Sequence, residues 1–248
     1  MIPRFYIDEP LHPDSYLLLP PGAARHVQVL RLQPGAPLTL FDGAGDEWPA
    51  LVSRMGRSDV TVQVGVPLEV DRELALQVTI ALGMPANERM DGVVEKATEL
   101  GVAAIQPLMC ERSVLRLQGD RATKKVAHWQ GVAQAACEQS GRTRVPRIEP
   151  VRTLPEWLGS LPADGDAGAR FVLSLRDAQP LAASLDAASA RGSLICLSGP
   201  EGGLADAEEA LARRAGFVPL SLGPRVLRAD TAPLALLAHL SLRGLAAG

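Results

Sequence analysis

The chain is poor in aromatic residues, poorer still in lysine, and has no long apolar run. Aromatics make up 4% of its 248 residues, too few for the stacking platforms on which binders of single-stranded nucleic acid usually rely. Lysine occurs three times, as Lys96, Lys124 and Lys125, each far in sequence from the two glycine turns described below. A phosphate loop of the form Gly-x-x-x-x-Gly-Lys-Ser/Thr is therefore missing. The three scattered cysteines, Cys110, Cys137 and Cys196, have no metal-ligand spacing and no plausible disulfide framework, which suits a reducing compartment. No positively charged start leads into an apolar stretch, so the expectation is a cytoplasmic protein with no signal peptide, no membrane span and no bound metal. The net charge of −3 argues against a protein held to RNA by bulk electrostatics. Local basic clusters remain: Arg112 with Arg116, Arg121 with Lys124 and Lys125, and Arg142 with Arg144 and Arg147.

What the chain does have is a pair of glycine turns. Gly199-Pro200-Glu201-Gly202-Gly203 follows the apolar run Leu194-Ile195-Cys196-Leu197 and precedes an amphipathic segment that starts near Asp206. Leu222-Gly223-Pro224-Arg225-Val226-Leu227-Arg228 follows a second apolar run, 217–222. A strand, a glycine turn and a helix start leave backbone amides open to a ligand. Two such turns at the ends of successive strands can fold towards one ligand; the bland alternative is two tight structural turns. The order of the glycines is not Gly-x-Gly-x-x-Gly, so the dinucleotide reading fails on spacing.

Alternation and turn residues predict β-structure over the first ~70 residues, with strands at 37–41, 50–53 and 60–64 and a short helix at 23–30. Residues 67–73, charged and short of large apolar side chains, are the expected linker. Strands and helices then alternate, the mark of an α/β sheet. Strands are expected at 78–82, 104–108, 171–175, 194–198 and 217–222. Helices are expected at 90–100, 120–140, 181–190, 206–215 and 231–245. The helix at 120–140 carries Val126, Trp129, Ala133, Ala136, Cys137 and Ser140 on one face. The last helix is apolar nearly all round, which demands burial in a deep core or at a dimer interface.

Leu-Ser-Gly-Pro-Glu-Gly-Gly-Leu (197–204), followed by Leu-Gly-Pro-Arg-Val-Leu-Arg-Ala-Asp-Thr-Ala (222–232), resembles the carboxy-terminal signature of the SPOUT methyltransferases. Within them it resembles the RsmE family, which methylates N3 of a uridine, position 1498, in 16S ribosomal RNA of the small subunit. The likeness runs along the chain. Ile2-Pro3-Arg4-Phe5-Tyr6, His26-Val27-Gln28-Val29-Leu30-Arg31 and Phe41-Asp42-Gly43 resemble its amino-terminal blocks. Lys96-Ala97-Thr98-Glu99-Leu100-Gly101-Val102, Glu111-Arg112-Ser113 and Ala136-Cys137-Glu138-Gln139-Ser140-Gly141-Arg142 resemble its central ones. Where the family usually has Arg-Thr-Glu-Thr, this chain has Arg228-Ala229-Asp230-Thr231, one hydroxyl and one methylene fewer.

The resemblance implies a PUA-like RNA-binding β-barrel at 1–70 and a SPOUT α/β domain with a trefoil knot at 74–248, whereas general rules alone favour an open, unknotted doubly wound sheet. It also implies S-adenosyl-L-methionine as cofactor, 16S ribosomal RNA as partner and a homodimer. The cofactor pocket then has Leu197, Ser198, Gly199, Pro200, Glu201, Gly202 and Gly203 as one wall. Leu222, Gly223, Arg225, Val226 and Leu227 form the other, with Thr231 beside them, and glycines admit the ligand to the backbone. Methyl transfer needs nucleophile, methyl and sulfur in line. Uridine N3 must shed a proton or have its developing charge stabilised. Arg228 suits the second task, since a guanidinium cannot act as a base at neutral pH. Glu201 and Asp230 are the nearby carboxylates able to act as base, and no choice between them follows. Glu201 equally suits a ribose hydroxyl, the sulfonium charge or the cap of the next helix. Arg4, His26, Arg31, Arg112 and Arg142 are carried over as RNA contacts, each equally at home as a surface or ion-paired residue. The competing readings are a methyltransferase of another ribosomal or transfer RNA nucleotide and a non-catalytic RNA-binding assembly factor.

Overall fold

The computed structural model describes residues 2–162, 168–181 and 192–244. The helix expected at 181–190 falls almost wholly outside them. The chain divides into two compact units, Met1–Glu73 with Gln134–Val145, and Leu74–Ala133 with Pro146–Gly248. Chain order alone does not reveal that residues 134–145 go with the first unit.

The first unit is a six-stranded sheet with one helix. Its elements are β1 (Arg4–Tyr6), β2 (Tyr16–Leu18), α1 (Pro21–Val29), β3 (Pro37–Phe41), β4 (Asp46–Met55), β5 (Val60–Val64) and β6 (Leu68–Glu69). The sheet runs β1-β3-β4-β5-β2, with β6 on β4. The expected linker thus contributes a short strand, which pairs Glu47 with Leu68 and Asp46 with Glu69. Strand alternation decides what is buried. Leu38 and Leu40 of β3 and Val60, Val62 and Val64 of β5 point into one core with Phe5, Trp48 and Val52. Pro21 opens α1 with its φ preset and no amide hydrogen to satisfy. Arg31 ends that turn in the left-handed region, at φ 54°.

The second unit is an all-parallel sheet. Its elements are β7 (Gln77–Gly83), α2 (Asn87–Glu99), β8 (Ala104–Met109), α3 (Gly119–Ser140), β9 (Arg147–Ile148), β10 (Arg152–Thr153), α4 (Leu154–Ser160), β11 (Ala169–Leu173), β12 (Gln179–Pro180), β13 (Ser193–Ser198), α5 (Asp206–Arg214), β14 (Val218–Ser221) and α6 (Thr231–Gly244). The sheet order is β10-β8-β7-β13-β11-β14-β12, with β9 on β8. Strands buried on both faces read as continuous apolar runs, as in Val78, Ile80, Ala81 and Leu82 of β7. On α3 the expected face is the buried one, with Trp129, Ala133, Ala136 and Cys137 at or below 4% exposure. The Trp129 indole donates to Asp91 Oδ1 at 2.9 Å. Truncating that side chain would cost about 3–5 kcal/mol. α2 stops at Gly101, whose φ of 92° only glycine adopts at ease. α4 starts on a capping box, with Thr153 Oγ1 accepting from Glu156 N and Glu156 Oε2 from Thr153 N.

The three cysteines are free and buried, and burial pushes each thiol up to about 12, so none is a nucleophile near neutral pH.

Candidate active site

The neighbouring parallel strands β13, β11 and β14 end at one edge of the second sheet. Val172 pairs with Leu197, and Leu173 with Leu220. The loops that leave these ends enclose a cavity of about 670 Å³, of the size that holds a nucleoside-type ligand. Ligands of open α/β sheets bind beyond the carboxyl ends of the strands.

The first glycine turn is folded tightly on itself. Gly203 N donates to Pro200 O at 2.8 Å, and Gly203 has φ 68°. A Cβ on Gly199 would stand 2.8 Å from Leu204 N and 2.9 Å from Gly203 C, so glycine is required there for space. A Cβ on Gly202 would meet Arg112 Cβ at 3.0 Å, so this glycine makes room for the arginine stem. Arg112 Nη1 donates to Gly202 O at 3.0 Å and to Leu204 O at 3.4 Å, clamping the turn. Behind the turn, a Cβ on Gly83 would lie 2.5 Å from Pro200 Cδ and 2.6 Å from Pro200 N.

Glu201 does not cap the helix that follows it. Its Oε1 accepts the amide of Ala86 at 3.0 Å, at the start of α2, and lies 3.7 Å from Arg89 Nη1. The start of α5 is served by Glu208, whose Oε2 accepts from Ala205 N at 2.9 Å while its Oε1 accepts from Glu111 N at 2.8 Å.

In the second turn Gly223 has φ 111°, and its amide donates to Ser221 Oγ at 3.2 Å. The Arg228 carbonyl accepts from Thr231 N and Ala232 N, both at 3.0 Å, and so starts α6. The Arg228 side chain is exposed at the cavity and makes no ion pair among the described residues. Asp230 Oδ1 is 3.4 Å from Thr231 Oγ1, its hydroxyl donor.

Of the residues expected in the pocket, Ser198 to Gly203, Leu222 and Arg225 to Arg228 line the cavity, and Arg112 joins them. Leu197, Gly223, Asp230 and Thr231 do not. Leu197 is buried within the sheet, and Gly223 lines a separate cavity with Ala235 and His239. Sequence reasoning missed a third wall, Leu173 to Arg176 with Glu209. The strand was expected to run to Leu175, but β11 stops at Leu173, and Ser174 turns away to donate to Glu209 Oε1 at 2.9 Å. The available signal was that β11, like the two strands followed by glycine turns, must open at the same edge of a parallel sheet.

The remaining expected residues lie in the first unit. Arg142 is 4% exposed and donates to Glu73 through Nε at 3.1 Å and through Nη2. Arg4 is bonded to Glu47 and to the carbonyls of Gly141 and Arg142, both at 3.2 Å. Both arginines are tied into the fold. His26 is exposed and packs edge-on to Phe5 at 5.3 Å, and Arg31 is exposed. Among the described residues no group of three or more His, Cys, Asp or Glu could hold a metal ion, and no helix is long and apolar enough to cross a membrane.

Residues 72–241 match the model of an RNA methyltransferase domain, and residues 19–65 match that of an RNA methyltransferase PUA domain. Ribosomal RNA small subunit methyltransferase E of Bacillus subtilis is 33% identical over 218 residues, 87% of this chain and 85% of its own length. The chain belongs to the ribosomal RNA small subunit methyltransferase E family. Its Synechocystis member is also 33% identical, over 86% of this chain and 68% of its own length. The family's Neisseria gonorrhoeae structure, bound to S-adenosyl methionine, superposes with a TM-score of 0.90 at 34% identity, covering 98% of both chains. A Legionella pneumophila protein in complex with the cofactor SAM gives 0.88 at 33% identity, again over 98% of both. The fold expected for the family, a PUA unit followed by a SPOUT α/β unit, is the observed one.

Proposed function

We propose that the protein transfers a methyl group from S-adenosylmethionine to N3 of a uridine in 16S ribosomal RNA, position 1498. The observation that carries this reading is the single cavity walled by both glycine turns, in a chain whose solved relatives hold that cofactor. The cavity fits the group in volume, and Gly199, Gly202 and Gly203 bring backbone without side chains to its lining. Ser198 to Gly203, Leu222 and Arg225 to Leu227 would hold it, and its sulfonium supplies an activated methyl. On this reading the same loops carry the trefoil knot of a SPOUT domain.

The protein's own contribution is to place the acceptor and answer its charge. Arg228, exposed at the rim and unpaired among the described residues, can offer its planar fork to O2 or O4 as N3 gives up its proton. Glu201 already accepts the Ala86 amide, and Asp230 lies outside the cavity beside the Thr231 hydroxyl. Neither is as free to meet the acceptor base as the guanidinium of Arg228, unpaired among the described residues. We assign the larger share of the rate to the arginine. Of the first-unit residues carried over as RNA contacts, His26 and Arg31 are the exposed ones. The protein works in the cytoplasm as a homodimer on the assembled small subunit.

The test is mass mapping of small-subunit ribosomal RNA from a deletion strain, complemented with the wild-type gene or with Arg228→Ala. Loss of one methyl from one uridine, restored only by wild type, supports the reading. Loss at another nucleotide changes the substrate, and an unaltered methylation map makes the protein a binding factor.

A further inference from the structure

The missed third wall contains a carboxylate with one engaged and one free oxygen. Glu209 lines the cavity from α5, with its side chain 13% exposed. Its Oε1 accepts from Ser174 Oγ at 2.9 Å and from Arg213 Nη2 at 2.8 Å. Arg213 also donates to Arg176 O at 2.8 Å, and Ser174 Oγ accepts from Arg176 N at 3.1 Å. The side chain is thereby held from both flanks. Oε2 has no hydrogen-bond partner among the described residues, yet it is not sealed from solvent as an orphaned buried atom would be. A largely buried carboxylate with one open oxygen on a cavity wall offers a fixed negative charge to whatever enters.

The rest of the lining makes that charge consequential. Arg112, Arg176, Arg225 and Arg228 face the cavity against two carboxylates, Glu201 and Glu209. Arg176 is already paired with Asp206, and Glu201 gives its Oε1 to the Ala86 amide beside Arg89. A cationic ligand entering among these guanidinium groups needs a counter-charge, and Glu209, the more buried of the two carboxylates and held from both flanks, is the better fixed to supply it. The sulfonium form of the cofactor carries one more positive charge than the thioether that remains after methyl transfer. We propose that Glu209 recognises this difference, making the cavity prefer the methyl-bearing, cationic state of its ligand over the neutral-sulfur product and so favouring product release. The inference rests on the cofactor assignment above.

Two variants bear on it from opposite sides, each read by calorimetric titration with S-adenosylmethionine and with S-adenosylhomocysteine. Glu209→Gln keeps the shape and removes the charge. It should lower the ratio of the two affinities by about tenfold, as expected for one unit charge a few ångströms away in a partly dry site. Arg213→Gln removes the partner that half-neutralises Glu209 and should raise the same ratio by severalfold. A purely structural role would weaken both ligands together and leave the ratio where it is. Unchanged ratios in both variants, or shifts in the same direction, overturn the proposal. If Glu209→Gln does not fold, the Arg213 variant alone decides, because a ratio that fails to rise is incompatible with the assigned role. Wild-type protein that binds neither ligand instead defeats the cofactor assignment itself.

Discussion

Gly83 gives the sharpest test of how the cavity is held in place, because it lies outside the cavity and touches no ligand. It is the last residue of β7, buried, and backed directly onto the first glycine turn. A methyl group there would sit 2.5 Å from Pro200 Cδ, 2.6 Å from Pro200 N and 3.0 Å from Cys110 Sγ. Ordinary contact begins near 3.4 Å, so about 1 Å of movement is needed. Two of the three obstacles are a backbone nitrogen and a proline ring, which cannot rotate out of the way. The strain must pass into the turn that carries Glu201 and Gly202. Overpacking of this kind costs about 1–3 kcal/mol, or about 3–10 °C in Tm for a chain of this size. A shift of about 1 Å in a binding loop can cost up to a hundredfold in function. Gly83→Ala is therefore expected to lower Tm and to weaken S-adenosylmethionine by about tenfold or more, measured by scanning calorimetry and titration calorimetry on one preparation. Gly92→Ala is the control. Nothing lies within 4 Å of its would-be Cβ inside α2, so it should gain up to about 1 kcal/mol and bind normally. A Gly83→Ala protein with lowered Tm and wild-type affinity would refute the coupling of β7 to the turn. One with wild-type Tm would refute the packing itself.

Three further outcomes follow from the geometry. Arg228→Ala should lose on the order of a hundredfold in turnover with cofactor affinity within about threefold; lysine should rescue only in part, and affinity falling in step with turnover would make it a cofactor residue. Glu47→Gln should cost about 3 kcal/mol near neutral pH, because it leaves Arg4 without its mostly buried partner. Burial works to raise the Glu47 carboxyl, but the bonds from Arg72 and Arg4 outweigh it and hold it below its ordinary 4.5. Its stabilisation is therefore present above that value and lost as pH falls through the lower folded one, so the deficit measured by urea unfolding should vanish in acid. Light scattering at low concentration should give twice the chain mass, whereas a fully active monomer would remove the partner from the α6 face.

The elements legible in the sequence are those whose own side chains decide them. The valines of β5 alternate, β7 and β13 are continuous apolar runs, and α3 repeats its buried residues at helical spacing. The strands that escaped notice, β1, β2, β6, β9, β10 and β12, are two or three residues long and exist only because a neighbour pairs with them. Their residues carry no pattern of their own. The α4 capping box, Thr153-x-x-Glu156, was readable and went unread. At the site, glycine announced two walls because backbone approach needs it. The third wall depends on Ser174 and Glu209, ordinary residues brought together by strand order, which periodicity does not encode. Arg142 shows the converse: the resemblance implies an RNA contact or, equally, an ion-paired residue, and the fold bonds it to Glu73.

The carbonyl of Arg228 takes the first two amide hydrogens of α6, so the residue whose guanidinium stands at the cavity rim is also the helix's hinge pin. With 14 residues, α6 is a rod about 21 Å long, seated on α2 and β13 and ending in the exposed Leu242. Rods transmit tilt to their ends. A load on the far end of α6, such as a second chain covering Leu242, is felt as a change in the aim of the arginine. On the proposed reading of a homodimer with Arg228 at the reacting base, assembly and the aim of that side chain are coupled through α6, with Gly223 as the slack in the second turn.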